Sequence, residues 1–268
     1  MSAAGAMGVA GFGIVRPVSD VDVEVIPITY PGIHVMEGSP APYGLPVIPL
    51  EITSSGDLIG RPDAAENQLS WYKYCSHERA PGTEPSFESD NLLSYFVTEE
   101  KIHKGFDAWY KDLIGETINV EDFPDSEPLD KFSEFPGVGA AFKWRSEGVD
   151  PEDTITGIVT KMPADALSFG SRVTEPQKQE WLDTWFPLNP NDDSERFVAS
   201  CSFCTHFCCV PGFHESELAI SSGYGQTIFC TCHLSRYDPF KISMYDRTIF
   251  VFPQGEGEGG GGGGGGGH

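Results

Sequence analysis

The chain has 268 residues and a net charge of −23, from 40 Asp and Glu against 17 Lys and Arg. That length suits one large or two small domains, and the 39% hydrophobic content permits a real core. So acidic a balance speaks against nucleic acid and anionic membrane surfaces as partners, since both need positive charge. It is also the composition of proteins from high-salt cells, where ions screen self-repulsion.

Residues 2–15 are small and apolar, and Arg16-Pro17 ends the run. Fourteen residues fall short of the roughly 20 that span a bilayer. No basic stretch precedes them, so they do not make a complete signal peptide. Residues 18–55 hold strand-like runs: 20–25 alternates with period two, and 45–52 is β-branched and punctuated by Pro. Residues 56–150 are acidic, rich in Pro, Ser and Gly, and short of strand signals. They read as a partly helical, partly irregular insertion in a β base domain spanning 18–200. Ile102, Phe106, Trp109, Tyr110 and Leu113 predict a helix over 98–114 whose aromatics make core contacts. No nucleotide loop, serine-hydrolase elbow or His-Glu-x-x-His occurs there.

Residues 154–162 read as a strand. Thr174-Glu175-Pro176-Gln177 resembles a capping box, which predicts a helix to about Trp185 that buries Trp181 and Trp185. Residues 189–195 read as an acidic turn and 196–203 as a strand leading to Cys204. A second strand, 227–229, leads to Cys230. Residues 240–244 and 248–252 are the expected returning strands, with Asp246-Arg247 near their turn, so that 241–254 rejoins the base domain. Residues 255–268 carry nine consecutive glycines. Glycine loses the most backbone entropy and buries nothing, so this tail is expected to be disordered and without function. His268 is expected to be solvated.

Six of the seven cysteines and three of the seven histidines lie in 201–240. Five of these cysteines and two of these histidines fall in two knuckles: Cys204-Thr205-His206-Phe207-Cys208-Cys209, and Cys230-Thr231-Cys232-His233. Each offers a thiolate and an imidazole within two or three residues. Sulfur ligands select zinc, copper or iron–sulfur clusters, and imidazole suits zinc or iron. Cys204, His206, Cys230 and His233 alone would permit a structural Cys2His2 zinc site.

C-T-H-x-x-C followed by C-x-C-H-x-S-x-Y-D resembles the Rieske iron–sulfur protein of cytochrome bc-type quinol oxidoreductases. CTHFCCVPGF, CHxSxYDPF, the upstream YGLPVIPLEI and WRSEGVDPEDT together look like the Rieske proteins of halophilic archaea. The resemblance implies a mainly β chain: an antiparallel β-sandwich carrying a small two-loop cluster-binding subdomain at 201–240. It implies one 2Fe–2S cluster per chain, with Cys204 and Cys230 on one iron and His206 and His233 on the other. Cys209 and Cys232 would form the disulfide that ties the loops together. Ser235 and Tyr237 match the family's hydroxyl donors, Ser235 to a bridging sulfide and Tyr237 to the Cys204 sulfur. Three departures stand out. The family usually has Gly where this chain has Cys208 and Leu234, and its Pro-rich third loop is not evident after Asp238-Pro239.

Two neutral histidines in place of two thiolates raise a cluster's potential, into a range of about −150 to +300 mV. Hydroxyl donors raise it further. The resemblance therefore implies an electron-transfer subunit of a membrane quinol–cytochrome c (or other acceptor) oxidoreductase. His233 would bond the quinol hydroxyl and accept a proton as the cluster accepts an electron, with His206 beside it. Phe207 and Leu234 would form an apolar collar that docks into a quinol pocket of a membrane cytochrome b subunit. A cytochrome or another soluble carrier would then take the electron. The family's usual N-terminal anchor makes 1–17 the remnant of an anchor or signal, with the cluster domain on the extracytoplasmic side of the cell membrane. Alternatives are the small subunit of an arsenite-oxidase-like or oxygenase system, or a zinc-stabilised binding protein. Oxygenase-type domains generally lack the disulfide pair, and no 2-His-1-carboxylate set is visible here.

Of the remaining residues, Cys75 is expected to be a buried thiol or the partner of Cys208 in a second disulfide, in an oxidising compartment. Cys201 is expected to be buried on its strand, and His214 solvated in a loop. His34, His77 and His103 show no partner in the sequence.

Overall fold

The computed structural model describes residues 24–61, 91–97, 108–124, 137–144, 155–214, 223 and 225–251. Its chain divides into two units: Ile28–Arg247, and Met1–Pro27 with Thr248–His268. In the second of these the described residues, 24–27 and 248–251, are extended. No helix among the described residues is long and apolar enough to cross a membrane. The expected anchor at 1–17 and the tail at 255–268 lie outside the described residues.

The fold is mainly β and antiparallel. In chain order the strands are β1 (Glu24–Val35), β2 (Leu45–Ile48), β3 (Leu50–Ile52), β4 (Leu58–Gly60), β5 (Leu93–Tyr95), β6 (Val138–Trp144) and β7 (Ile155–Pro163). There follow β8 (Ser168–Phe169), β9 (Leu188–Asn189), β10 (Asp192–Cys201), β11 (Gly212–His214), β12 (Thr227–Cys230) and β13 (Ser235–Val251). Among the described residues one α-helix, α1 (Glu175–Thr184), packs among the strands. The main sheet runs β11-β12-β13-β1-β2-β10-β7-β6-β5, and β3 pairs with β4 separately.

Burial explains the order. β7 is rich in β-branched residues, and eight of its nine residues are buried, Lys161 among them. It lies centrally, paired with β6 on one side and β10 on the other. β2 is the corner: Leu45 and Pro46 pair with β1, while Val47 and Ile48 pair with β10. All of β2 is buried. The sheet curls so that β11 and β13 come over β6. A Cβ at Gly139 of β6 would collide with the Phe213 ring of β11, so that position has room only for glycine. Gln226 closes the same seam, its side-chain oxygen accepting the Gly137 N–H at 3.0 Å.

α1 begins at the capping box read from the sequence. Thr174 is the N-cap, Gln177 answers it, and a Pro stands in the first turn. Trp181 is buried and stacks on the half-buried Trp185 at 5.3 Å.

Several expectations change. The described part of 98–114 is not α-helical; it holds a 3-10 turn at Lys111–Leu113, and Ile102 and Phe106 lie outside the described residues. Its aromatics do make core contacts: Trp109 lies 5.7 Å from Tyr95 and 4.9 Å from Phe123. Three strands, β4 to β6, fall inside 56–150 despite its weak strand signals. The acidic turn at 189–195 is shorter than expected, because Asn189 already pairs with Asp192 across a tight hairpin. The returning chain is one strand rather than two. Asp246 is not at a turn: it binds Arg172 through both carboxylate oxygens, at 2.8 and 2.9 Å, and accepts from Thr29.

Candidate metal centre

Both knuckles sit at strand ends. β10 ends at Cys201 and the chain turns through 204–209 before returning as β11. In that turn the Cys204 N–H bonds the Cys209 carbonyl at 2.8 Å, and the Cys208 N–H bonds the Cys204 carbonyl at 2.9 Å. The second knuckle is the hairpin between β12 and β13. Cys230 and Ser235 are its closing pair, and the Leu234 N–H bonds the Cys230 carbonyl at 3.0 Å. Cys208 and Leu234 both adopt left-handed backbone, with φ of 59° and 65°. Glycine alone takes that conformation without cost.

Cys209 and Cys232 are disulfide-bonded across the two knuckles, with Cα atoms 6.6 Å apart. Cys204 and Cys230 are buried and take part in no disulfide. Their thiols lie within hydrogen-bonding reach of each other. Cys230, then Tyr237, Ser235 and the His206 N–H, hold the Cys204 thiol well below its ordinary pKa. The same Cys204 contact and burial push Cys230 up, so the two thiols together favour a single negative charge. The Tyr237 phenol donates to Cys204 Sγ at 3.2 Å. Tyr237 and Ser235 are two residues apart on β13, so both project to one face of it, and both are buried.

The histidines form the outer pair. His206 is half-buried and His233 exposed. Their rings lie 4.9 Å apart and nearly perpendicular. Phe207, 66% exposed, lies 4.4 Å from the His206 ring and 5.0 Å from the His233 ring. Leu234, 58% exposed, completes an apolar rim.

Two polar atoms here are buried without a hydrogen-bond partner: His206 Nδ1 and Ser235 Oγ. Ser235 lies close enough to lower the Cys204 pKa, yet no protein atom meets its hydroxyl in bonding geometry. A buried orphan of this kind costs about 1–3 kcal/mol. A metal on the ring nitrogen and an acceptor opposite the hydroxyl would satisfy both. Geometry also bears on how many ions fit. One tetrahedral zinc would draw its four ligand atoms to within about 4 Å of one another. Among the described residues the one group of three possible ligand atoms mutually within 4.8 Å is Cys209, Cys230 and Cys232. Two of these are bonded to each other, which leaves Cys230 as the sole thiol of that group. The thiol pair and the imidazole pair therefore do not converge on one point.

Elsewhere, Cys201 is buried on β10 and unbridged. Cys208 is disulfide-bonded, and its expected partner Cys75 lies outside the described residues, as do His77, His103 and His268. His214 is not a solvated loop residue. It lies half-buried on β11, 5.4 Å from the Phe229 ring and nearly perpendicular to it. His34 meets Ser243 Oγ through Nδ1 at 2.9 Å. Sequence reading missed Thr205 and the β1–β2 connection. Thr205 is buried between the Tyr237 phenol and the Tyr43 carbonyl, to which its hydroxyl donates. The available signal was Ser39-Pro40-Ala41-Pro42-Tyr43-Gly44, a Pro- and Gly-bearing turn just before a strand.

No family model, curated protein or solved structure matches this chain.

Proposed function

We propose that this chain is a Rieske-type 2Fe–2S protein, the electron-carrying subunit of a membrane quinol–acceptor oxidoreductase. The observation that carries the reading is the division of the site into a buried thiol pair and an outer imidazole pair, with His206 Nδ1 and Ser235 Oγ left unpaired between them. Cys204 and Cys230 would hold one iron, and His206 and His233 the other. Bound there, the cluster would supply a one-electron couple that the polypeptide lacks.

The remaining chemistry belongs to the side chains. Tyr237 and Ser235 direct hydroxyl protons at sulfur and so favour added negative charge. The Cys209–Cys232 bridge holds the knuckles together. His233 is the exposed ring, so it is the one that meets a quinol hydroxyl and takes its proton at the nitrogen away from the metal. Phe207 and Leu234 exclude water around that contact, as docking into a cytochrome b-type subunit requires. A soluble cytochrome or similar carrier would be the acceptor. The cluster domain would work on the extracytoplasmic side of a membrane, where the disulfides persist.

The deciding experiment is metal analysis together with electron paramagnetic resonance of the dithionite-reduced protein. Two irons per chain and the anisotropic spectrum of mixed histidine–cysteine ligation are expected. A silent sample containing stoichiometric zinc would sink the proposal in favour of a structural site.

A further inference from the structure

The second knuckle runs straight into β13, so whatever covers the knuckles on their third side comes from elsewhere in the chain. The β1–β2 connection lies there. Thr205 donates its hydroxyl to the Tyr43 carbonyl. The Arg236 N–H donates to Ser39 Oγ at 3.2 Å, and the Arg236 carbonyl accepts from the Met36 N–H at 3.1 Å. Residues 36–44 are thus tied to the first knuckle and to the strand that leaves the second.

Thr205 also faces Tyr237. Its backbone N–H donates to the phenol oxygen at 3.2 Å, and its Oγ1 lies 3.4 Å from that oxygen. Tyr237 has one proton to give, and gives it to Cys204 Sγ. A phenol that accepts one bond donates the next more strongly. The bonds therefore form a chain: the Tyr43 carbonyl fixes Thr205, Thr205 fixes the phenol oxygen, and the phenol reaches the sulfur.

We infer that residues 39–44 are the third wall of the knuckle pair, and that Tyr43 and Thr205 are positioning residues holding the Tyr237 phenol on Cys204. The effect on a redox potential rests on the 2Fe–2S reading above. The wall itself rests only on the hydrogen bonds.

The test uses Thr205→Val, which removes the hydroxyl but keeps shape and backbone N–H, with Thr205→Ser as the conservative control. In the full chain, Thr205→Val should shift the potential in the same direction as Tyr237→Phe but by less, and Thr205→Ser should restore the wild-type value. Placed on Tyr237→Phe, Thr205→Val should add nothing, because the residue acts through the phenol. No shift in the wild-type background, or a full extra shift in the Tyr237→Phe background, overturns the positioning role. Hydrogen exchange of the peptide covering 36–44 gives a readout that needs no cluster. Its protection should fall in Thr205→Val and hold in Thr205→Ser; unchanged protection in the valine variant overturns the wall. Should that variant not fold, Ser39→Ala carries the exchange measurement with the same two outcomes. A wild-type protein without the iron signal sinks the cluster reading instead, and the exchange result still decides the wall.

Discussion

The Tyr237 phenol donates to the buried Cys204 thiol, and the Ser235 hydroxyl lies buried beside it with no partner in bonding geometry. If the proposed 2Fe–2S cluster is bound, Ser235→Ala and Tyr237→Phe should lower its potential while its iron content is unchanged. A hydrogen bond to a charged group is worth about 1.5–3 kcal/mol, which for one electron bounds each shift at roughly 60–130 mV. Protein-film voltammetry checks this, and a potential unmoved in both variants would mean that the hydroxyls do not face the cluster. Leu234 invites a second substitution. Left-handed backbone costs a non-glycine residue about 1–2 kcal/mol, whereas glycine carries an entropic cost of roughly 0.5–1 kcal/mol. Leu234→Gly should leave the melting temperature equal or slightly higher while weakening docking of an apolar partner at the rim. A marked loss of stability would show that Leu234 packs rather than docks. Cys208 yields a third expectation. It is disulfide-bonded, and the sequence reading offers Cys75 as a partner. Non-reducing peptide mapping should recover a Cys75–Cys208 peptide. At this scale the sequence was informative where chemistry is local. Knuckle spacing names the thiols, rings and hydroxyls because each lies a few residues from the next. The Thr205–Tyr43 bond joins residues 162 apart, and no spacing announces it.

β7 and β10 meet along seven paired residues, and one ion pair is buried between them. Lys161 Nζ lies 3.1 Å from Glu195 Oε1, with the lysine side chain 4% exposed. Asn189 donates to the other carboxylate oxygen at 3.0 Å. Removing one partner strands a buried charge, so Glu195→Ala should cost on the order of 3–5 kcal/mol; a denaturation midpoint close to wild type would show that water reaches Lys161. β1 and β13 offer a pH-dependent counterpart. His34 faces Ser243 and Tyr245, and burial, then Lys241, hold its pKa below the ordinary 6.5 against the pull of Asp238. The fold prefers the neutral ring. That stabilisation is complete above pH 6.5, the unfolded value, and is lost as the pH falls from there through the folded pKa. His34→Gln should flatten the stability profile just below that pH, as read by urea titration. The same elements show what periodicity conveys. β7, β10 and α1 were legible because a β-branched run and a capping box are local signals. The 3-10 turn at Lys111–Leu113 was not, since its aromatics sit at helical spacing but are held by Tyr95 and Phe123 from other elements. The continuity of β13 was hidden too. Asp246-Arg247 looks like a turn until Arg172 and Thr29 occupy the aspartate.

Over the whole molecule the dominant quantity is a charge of −23. Screening shortens from about 10 Å at 0.1 M salt to about 3 Å at 1 M, so self-repulsion should fade over that range. The melting temperature should climb steadily with added KCl, and a flat response would show that the acidic side chains are spaced widely enough not to interact. The apolar rim at Phe207 and Leu234 carries no charge of its own, so contact made there should survive salt that would dissolve a charge-steered complex.

β13 lies between β12 and β1 in the sheet, although β1 is the first described strand and β13 the last. Synthesis therefore delivers the wall at 36–44 long before the knuckles it covers, and both before the strand that joins them. A nascent chain halted ahead of Ser235 holds every thiol and imidazole of the site but lacks Tyr237, Ser235 and the neighbour that β1 needs. Ribosome-bound chains stopped before β13 should leave 36–44 open to protease, and chains extended past it should close. Resistance already present in the shorter chains would show that the wall settles without its last neighbour.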